Sequence, residues 1–194
     1  MTLDELVAKT RSYRRFYEDV PLHIETLRAL VNLARLSASA ANRQPLKYIL
    51  SCDPATNARI FLHTRWAGYL KGWGGPKEGE RPTAYIVILC DTAISKDPGC
   101  DHGIAAQSMM LGAVERGFGG CMIGALDRDG LREALAIPER FDILLVLALG
   151  KPKETVVVED VGPEGDIKYY RDEQDVHHVP KRTLEELIVG EYRA

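Results

Sequence analysis

The chain has 194 residues, enough for one domain with its own core, or one domain carrying a terminal extension. Its 45% hydrophobic content is ordinary for a globular protein, and a net charge of -3 argues against a general nucleic-acid binder while leaving room for a local basic pocket. No apolar run approaches membrane-spanning length and the N-terminus lacks an apolar signal segment, so the chain is expected to be soluble and cytoplasmic, with no membrane partner.

Thr2-Leu3-Asp4-Glu5 has the spacing of a capping box, which predicts a short helix to about Thr10. The turn after it carries Arg11-Ser12-Tyr13-Arg14-Arg15-Phe16. Two guanidinium groups and a hydroxyl within four residues can hold a phosphate, although a solvated Arg-rich turn has the same composition. Ile24, Leu27, Leu30, Val31 and Ala34 recur at helical spacing. That helix delivers Ser37-Ala38-Ser39-Ala40-Ala41-Asn42-Arg43-Gln44-Pro45. Asn42 and Gln44 suit either a turn built on left-handed backbone or contacts with the edge of a heterocycle.

Tyr48-Ile49-Leu50 reads as a strand, and Asp53-Pro54 as an N-cap followed by Pro at the first helical position, opening a helix through Ile60. Trp66 to Pro82 changes character: glycines punctuate Trp66, Tyr69 and Trp73, as in an aromatic lid or an irregular crossing. Tyr85 to Cys90 is an unbroken apolar run and hence a buried strand. Ile104 to Val114 reads as a buried helix, with Gly117 as its C-cap. Gly119 to Ala125 is a short strand or turn, Asp127 caps a helix through Leu135, and Ile143 to Leu149 is a central strand ended by Gly150-Lys151-Pro152. From Glu154 the chain is polar, with Val156 to Val158 and Leu184 to Val189 as apolar anchors.

Cys90 and Cys121 lie among apolar residues and read as core, and no Cys/His spacing forms a metal site or a disulfide framework. His177-His178 before Val179-Pro180-Lys181-Arg182 reads as a solvated basic turn or a second phosphate-clamping element. His23, His63 and His102 have no evident catalytic partner. Gly117-Phe118-Gly119-Gly120 follows a helix instead of opening one, so it is no dinucleotide fingerprint. P-loop, G-x-S-x-G and paired-carboxylate patterns are absent, which leaves any redox chemistry to a cofactor.

Taken together, these segments resemble the nitroreductase family of FMN-dependent oxidoreductases over nearly the whole chain. Arg11 to Phe16 is similar to the family's R-S-x-R-x-F phosphate motif, and Ser39 to Pro45 to its S-x-x-N-x-Q-P motif. Asp101 to Gln107, then Leu111 to Gly124, resembles its central helix and glycine-containing strand, and His178 to Glu186 its closing basic segment. The resemblance implies one α+β domain over 1–194: a mostly antiparallel sheet between helices, with an extension from about 154 wrapped around the partner of a homodimer. FMN would lie at the subunit interface. Arg11 and Ser12 would hold its phosphate and ribityl end, Arg14 would reach the pyrimidine edge, and Lys181 and Arg182 would close the phosphate site. Asn42 and Gln44 would shape the cleft, Ala38, Ser39 and Ala40 would approach from the other subunit, and backbone N–H groups of Ile123 and Gly124 would face flavin N5 and O4.

The implied activity takes hydride from NADH or NADPH onto flavin N5 and passes it, by a ping-pong route, to a small electron-poor acceptor such as a nitroaromatic or quinone. No side chain is assigned as catalytic acid or base, no metal is required, and Trp73 is the candidate for acceptor selection. The alternative is an FMN-binding relative with a flavin-processing, dehalogenating or sensor role. The chain departs from the family pattern with Thr10 before the Arg/Ser pair, Ala38 where Pro is common and Leu46 where Trp is common.

Overall fold

A computed structural model describes residues 1–193. Helix α1 spans Leu3–Lys9, and its capping box is formed: Thr2 accepts from the Glu5 N–H while Glu5 accepts from the Thr2 N–H. A two-residue strand β1 (Phe16–Tyr17) precedes α2 (Ile24–Leu36), and a short 3-10 turn (Ala40–Asn42) leads into β2 (Leu46–Ser51). Asp53 caps α3 (Pro54–Leu62) by accepting from Thr56 N–H, with Pro54 in its first turn. Strand β3 (Ala84–Asp91), helix α4 (Asp101–Glu115), strand β4 (Gly119–Ile123), helix α5 (Arg128–Leu135) and strand β5 (Phe141–Pro152) complete the larger of two compact units.

The strands of this unit are antiparallel. Strand β5 pairs with β3 and with β4, β3 pairs with β2, and β1 joins the C-terminal end of β5. All eight residues of β3 are buried, as an unbroken apolar run requires when both faces of a sheet are covered. Ala84, Ile86 and Ile88 pack with Leu147 and Leu149 of β5 against Leu27 and Leu30 of α2 and Met109 and Ala113 of α4. Alternate residues face the other side of the pleat; helix α3 contacts β3 and α5. Gly112 lets the two core helices approach closely: a Cβ there would stand 2.2 Å from Leu33 Cδ1.

The glycine-proline signal predicts that the central strand stops at Leu149; it runs on to Pro152. Strand β1 supplies the reason, pairing Phe16 with Pro152 and Tyr17 with Lys151. The Phe16 ring occupies the space a side chain at Gly150 would fill. Helix α4 is also less buried than its composition predicts: Gly103, Ile104 and Gln107 form an exposed stripe on it.

The second unit comprises Ala67–Trp73 together with the chain from Glu154 onward. It contains β6 (Val156–Asp160), β7 (Tyr170–Arg171), β8 (His177–Lys181) and a short helix α6 (Leu184–Leu187). Strand β8 pairs in parallel with β6 and antiparallel with β7. Among the described residues no helix is long and apolar enough to cross a membrane.

Candidate functional site

Helix α1 ends where Thr10 turns its hydroxyl back to the Leu6 carbonyl, 2.7 Å away. Arg11 then folds over the exposed end of the helix, with Nη2 donating to the Val7 carbonyl at 2.8 Å. A guanidinium suits a helix C-terminus, where carbonyls lack intrahelical donors. Its Nε is buried and has no hydrogen-bond partner. Ser12 sits opposite Gly120 in a parallel bridge, and Tyr13 N–H donates to the Gly120 carbonyl at 2.9 Å. Arg14 is buried, with Nη1 donating to the Ser12 carbonyl. The phosphate-motif residues are thus fixed to the start of β4. Ile123 ends the same strand, about 10 Å further along at the usual strand rise, and Gly124 follows it. A side chain at Gly124 would meet only Leu145, at 3.8 Å, so the backbone there is open to a flat ligand.

The second cluster is held elsewhere. Ser39 Oγ donates to Asp101 Oδ2 at 2.6 Å, and Ala40 N–H donates to Asp101 Oδ1 at 2.9 Å. Ser39 Oγ in turn accepts from Gln44 N–H. Between these ties the backbone enters the left-handed region at Ala41, Asn42 and Gln44, with φ of 51, 52 and 53°. Left-handed backbone costs roughly 1–2 kcal/mol at a residue such as Ala, so the loop needs such external bonds. Asn42 and Gln44 are exposed, and Gln44 Nε2 donates to the Asn42 carbonyl and side-chain oxygen. A cavity of about 260 Å³ beneath the loop is lined by Ala38, Ser39, Gln44, Tyr48 and Asp101. Burial, with Asp101 nearby, pushes the Tyr48 phenol up to about 12, so it stays a neutral hydrogen-bonding group.

Asp101 was not legible as a site residue. Its partners stand 61 and 62 positions earlier, and its only local signal is an acidic residue in the first turn of a helix.

These two clusters lie at opposite ends of α4. Ser39 and Ala40 are bound to its first residue, and Ser12 and Tyr13 to Gly120, just past its last turn. Fifteen helical residues separate them by about 22 Å. One chain therefore does not gather Arg11, Ser12 and Arg14 into one pocket with Ser39, Asn42 and Gln44.

The remaining predicted residues belong to the second unit. Lys181 ends β8 and is exposed, and Arg182 lies 3.8 Å from Glu186 within one helical turn. Trp73 is covered by the Arg171 guanidinium, 4.5 Å from the ring centroid, and Arg171 is held at 2.9 Å by the buried Glu154. Tyr69 packs on Tyr169, which packs on His177. The indole of Trp73 is engaged inside this unit.

The histidine pair is a strand, not a turn. His177 is buried, and His178 places Nδ1 2.8 Å from Glu159 and Nε2 3.0 Å from Asp172. With a carboxylate at each nitrogen the ring favours the doubly protonated cation, and these bonds raise its pKa. Tyr170 stacks on it and bonds Glu159. His63 likewise has a partner: Nδ1 lies 2.9 Å from Asp127, the residue that caps α5. Cys90 and Cys121 are buried, and none of the four cysteines is in a disulfide among the described residues.

Comparison with known proteins places this geometry. The Nitroreductase family model matches residues 95–151, which cover α4, β4 and most of β5. An Archaeoglobus fulgidus protein named "Putative NADH dehydrogenase/NAD(P)H nitroreductase" is 30% identical over 153 residues, covering 75% of this chain and 83% of that protein. The chain belongs to the nitroreductase family. A second relative, the 5,6-dimethylbenzimidazole synthase of Rhodospirillum rubrum, is 25% identical over 78% of this chain and 82% of its own. An FMN-dependent nitroreductase of Clostridium difficile superposes with a TM-score of 0.64 at 22% identity, over 78% of this chain and 88% of that one, which shows the shared α+β fold. The nitroreductase fold accounts for the antiparallel sheet with helices on either side, and membership of the family makes the chain an oxidoreductase.

Proposed function

We propose that the protein is an FMN-dependent NAD(P)H oxidoreductase that works as a homodimer, with each flavin held by both subunits. The observation that carries this reading is the separation of the two clusters by the length of α4. Two copies related by a two-fold axis, with their α4 helices antiparallel, would bring the Asp101 end of one against the Gly120 end of the other. The exposed Gly103–Ile104–Gln107 stripe is where such helices would meet.

The residues present fit FMN. Arg11 has a buried Nε without a partner, next to Ser12, as an anion site requires. Arg14 is buried and would place a fixed cation at the pyrimidine edge, favouring negative charge there. Ile123 and Gly124 would offer backbone N–H groups, with open space over Gly124. Ala38, Ser39 and Ala40 would come from the partner, with Asn42 and Gln44 shaping the cleft. Lys181 and Arg182 would close the phosphate end. Exposed Leu184, Leu187, Val189 and Tyr192 give the tail apolar surface for a partner subunit.

Bound FMN would supply hydride transfer from NADH or NADPH to a nitroaromatic, quinone or similar acceptor, the two substrates using one cleft in turn. The chain's own residues would hold and orient the ring, so no side chain serves as catalytic acid or base. The protein names above, NAD(P)H nitroreductase for one relative and FMN-dependent nitroreductase for one fold neighbour, support this reading. The likeness to 5,6-dimethylbenzimidazole synthase favours a second one, in which the same flavin site serves a flavin-processing reaction.

The purified protein should carry flavin absorbance that bleaches within seconds on anaerobic addition of NADH or NADPH. A flavin that stays oxidised with both donors would exclude the reductase and leave the second reading. A protein that neither retains nor rebinds FMN would exclude both.

A further inference from the structure

Tyr85 is the second residue of β3 and is only 1% exposed, yet its hydroxyl has no hydrogen-bond partner. A buried hydroxyl without a partner gives up its bonds to water and gains none in return, so such groups are rare in a finished fold. The residue lines a cavity of about 230 Å³ between α3 and the adjoining end of the sheet, together with Cys52, Asn57, Phe61, Arg81 and Pro82. Cavities of roughly 150 Å³ admit a benzene ring, which leaves room here for a ring with one polar substituent.

The polar groups around this space differ in what they still offer. Asn57 is fully engaged, its Oδ1 accepting from Ser51 and its Nδ2 donating to the Thr83 carbonyl. Glu18 also lines the cavity, but one of its oxygens accepts from the backbone N–H groups of Gly79 and Arg81. Burial raises the Cys52 pKa, so that side chain stays a thiol and offers no nucleophile. Arg81 lies over the Phe61 ring at 4.6 Å, and its Nε is buried without a partner. Two donors therefore remain, one of them cationic, beside an aromatic wall, while the Glu18 carboxylate is drawn to the Gly79 and Arg81 backbone N–H groups through one oxygen and keeps the other as an acceptor. The complement of that arrangement is an anionic acceptor on a small flat apolar body.

We infer that this cavity is a binding site for a small aromatic carboxylate, with the carboxylate accepting from the Tyr85 hydroxyl and the Arg81 guanidinium and the ring lying against Phe61 and Pro82. None of its lining residues is among those proposed to hold FMN, so the site stands or falls separately from the flavin reading.

The test is calorimetric titration of benzoate into the full-length protein in the presence of FMN, and variants at Tyr85 and Arg81 distinguish this cavity from the substrate cleft over the flavin. Wild type should bind saturably, and Tyr85→Phe should bind about tenfold more weakly, the loss of one hydrogen bond to a charged group. Arg81→Met should weaken binding by at least as much. Without benzoate, Tyr85→Phe should unfold at the same or a higher denaturant concentration than wild type, because it removes an unpaired buried hydroxyl. Absence of saturable binding would overturn the proposal, as would equal affinity in wild type and both variants. A Tyr85→Phe variant clearly less stable than wild type would also overturn it, since the hydroxyl would then have a partner within the fold.

Discussion

The carboxylate of Asp101 holds the hydroxyl of Ser39 and the backbone N–H of Ala40 at once, at 2.6 and 2.9 Å. Through that one side chain the first turn of α4 fixes a loop in which three non-glycine residues carry positive φ. Because Asp101 is only 4% exposed, its removal leaves those donors without a charged acceptor. Asp101→Ala should destabilise the fold by about 2 kcal/mol in urea denaturation. It should also weaken FMN retention, although Asp101 is assigned no contact with the flavin. Asp101→Asn, which preserves one acceptor oxygen, should recover part of both losses.

At the other end of α4, Arg11→Ala and Arg14→Ala should each weaken FMN binding by about 1–3 kcal/mol, the range for a hydrogen bond to a charged group. Fluorescence titration of the apoprotein reads this directly. Unchanged affinity in both variants would remove the phosphate and pyrimidine-edge assignments together.

Backbone strain gives a prediction that does not depend on the cofactor. Ala136 ends α5 in the left-handed region, with φ 50° and ψ 46°. Ala136→Gly should stabilise the protein by about 0.5–1 kcal/mol, the left-handed strain relieved less the entropy glycine adds to the unfolded chain. Gly120 is the converse case, because a Cβ there would stand 2.4 Å from the Ala148 carbonyl oxygen across the β4–β5 pair. Gly120→Ala should destabilise by roughly 1–3 kcal/mol and disturb the register that positions Ser12. Both are measured by chemical denaturation.

His178 sets a pH dependence for the second unit. Its pKa is raised, first by Asp172 and then by Glu159, while the Asp172 pKa is lowered, first by His178. The histidine's contribution is fully present below its unfolded value and fades as pH rises through the raised folded value. The Asp172 contribution is present above that group's unfolded value and is lost as pH falls through its depressed folded one. Ties between β6, β7 and β8 should therefore be strongest in mildly acidic to neutral solution and should loosen on either side. NMR titration should place His178 above 6.5, and Asp172→Asn should lower it. A His178 titrating below 6.5 would contradict the doubly bonded cation.

Local chemistry made most of the fold legible. The capping box at Thr2 and Glu5, the Asp53–Pro54 helix start and the apolar run through β3 each act over a few residues, and each formed where it was expected. What escaped was set by distant partners. Gly150-Lys151-Pro152 looks like a strand end until β1 pairs with it. His178 looks like a solvated turn residue until Glu159 of β6 and Asp172, just past β7, reach it. The motif residues themselves could be named from resemblance, but the 15-residue helix that separates them could only be seen once both ends were tied down.

The central claim is that each flavin site draws Arg11, Ser12 and Arg14 from one chain and the Asp101-held loop from the other. Differently tagged chains, one Arg11→Ala/Arg14→Ala and the other Asp101→Ala, can be co-expressed and the mixed dimer isolated. Each parent homodimer is defective at both sites, whereas the mixed dimer rebuilds one intact site from its two undamaged halves. Flavin absorbance per dimer should show roughly one tightly bound FMN in the mixed species, against two in wild type. A mixed dimer that binds FMN no better than its two parents would contradict the account.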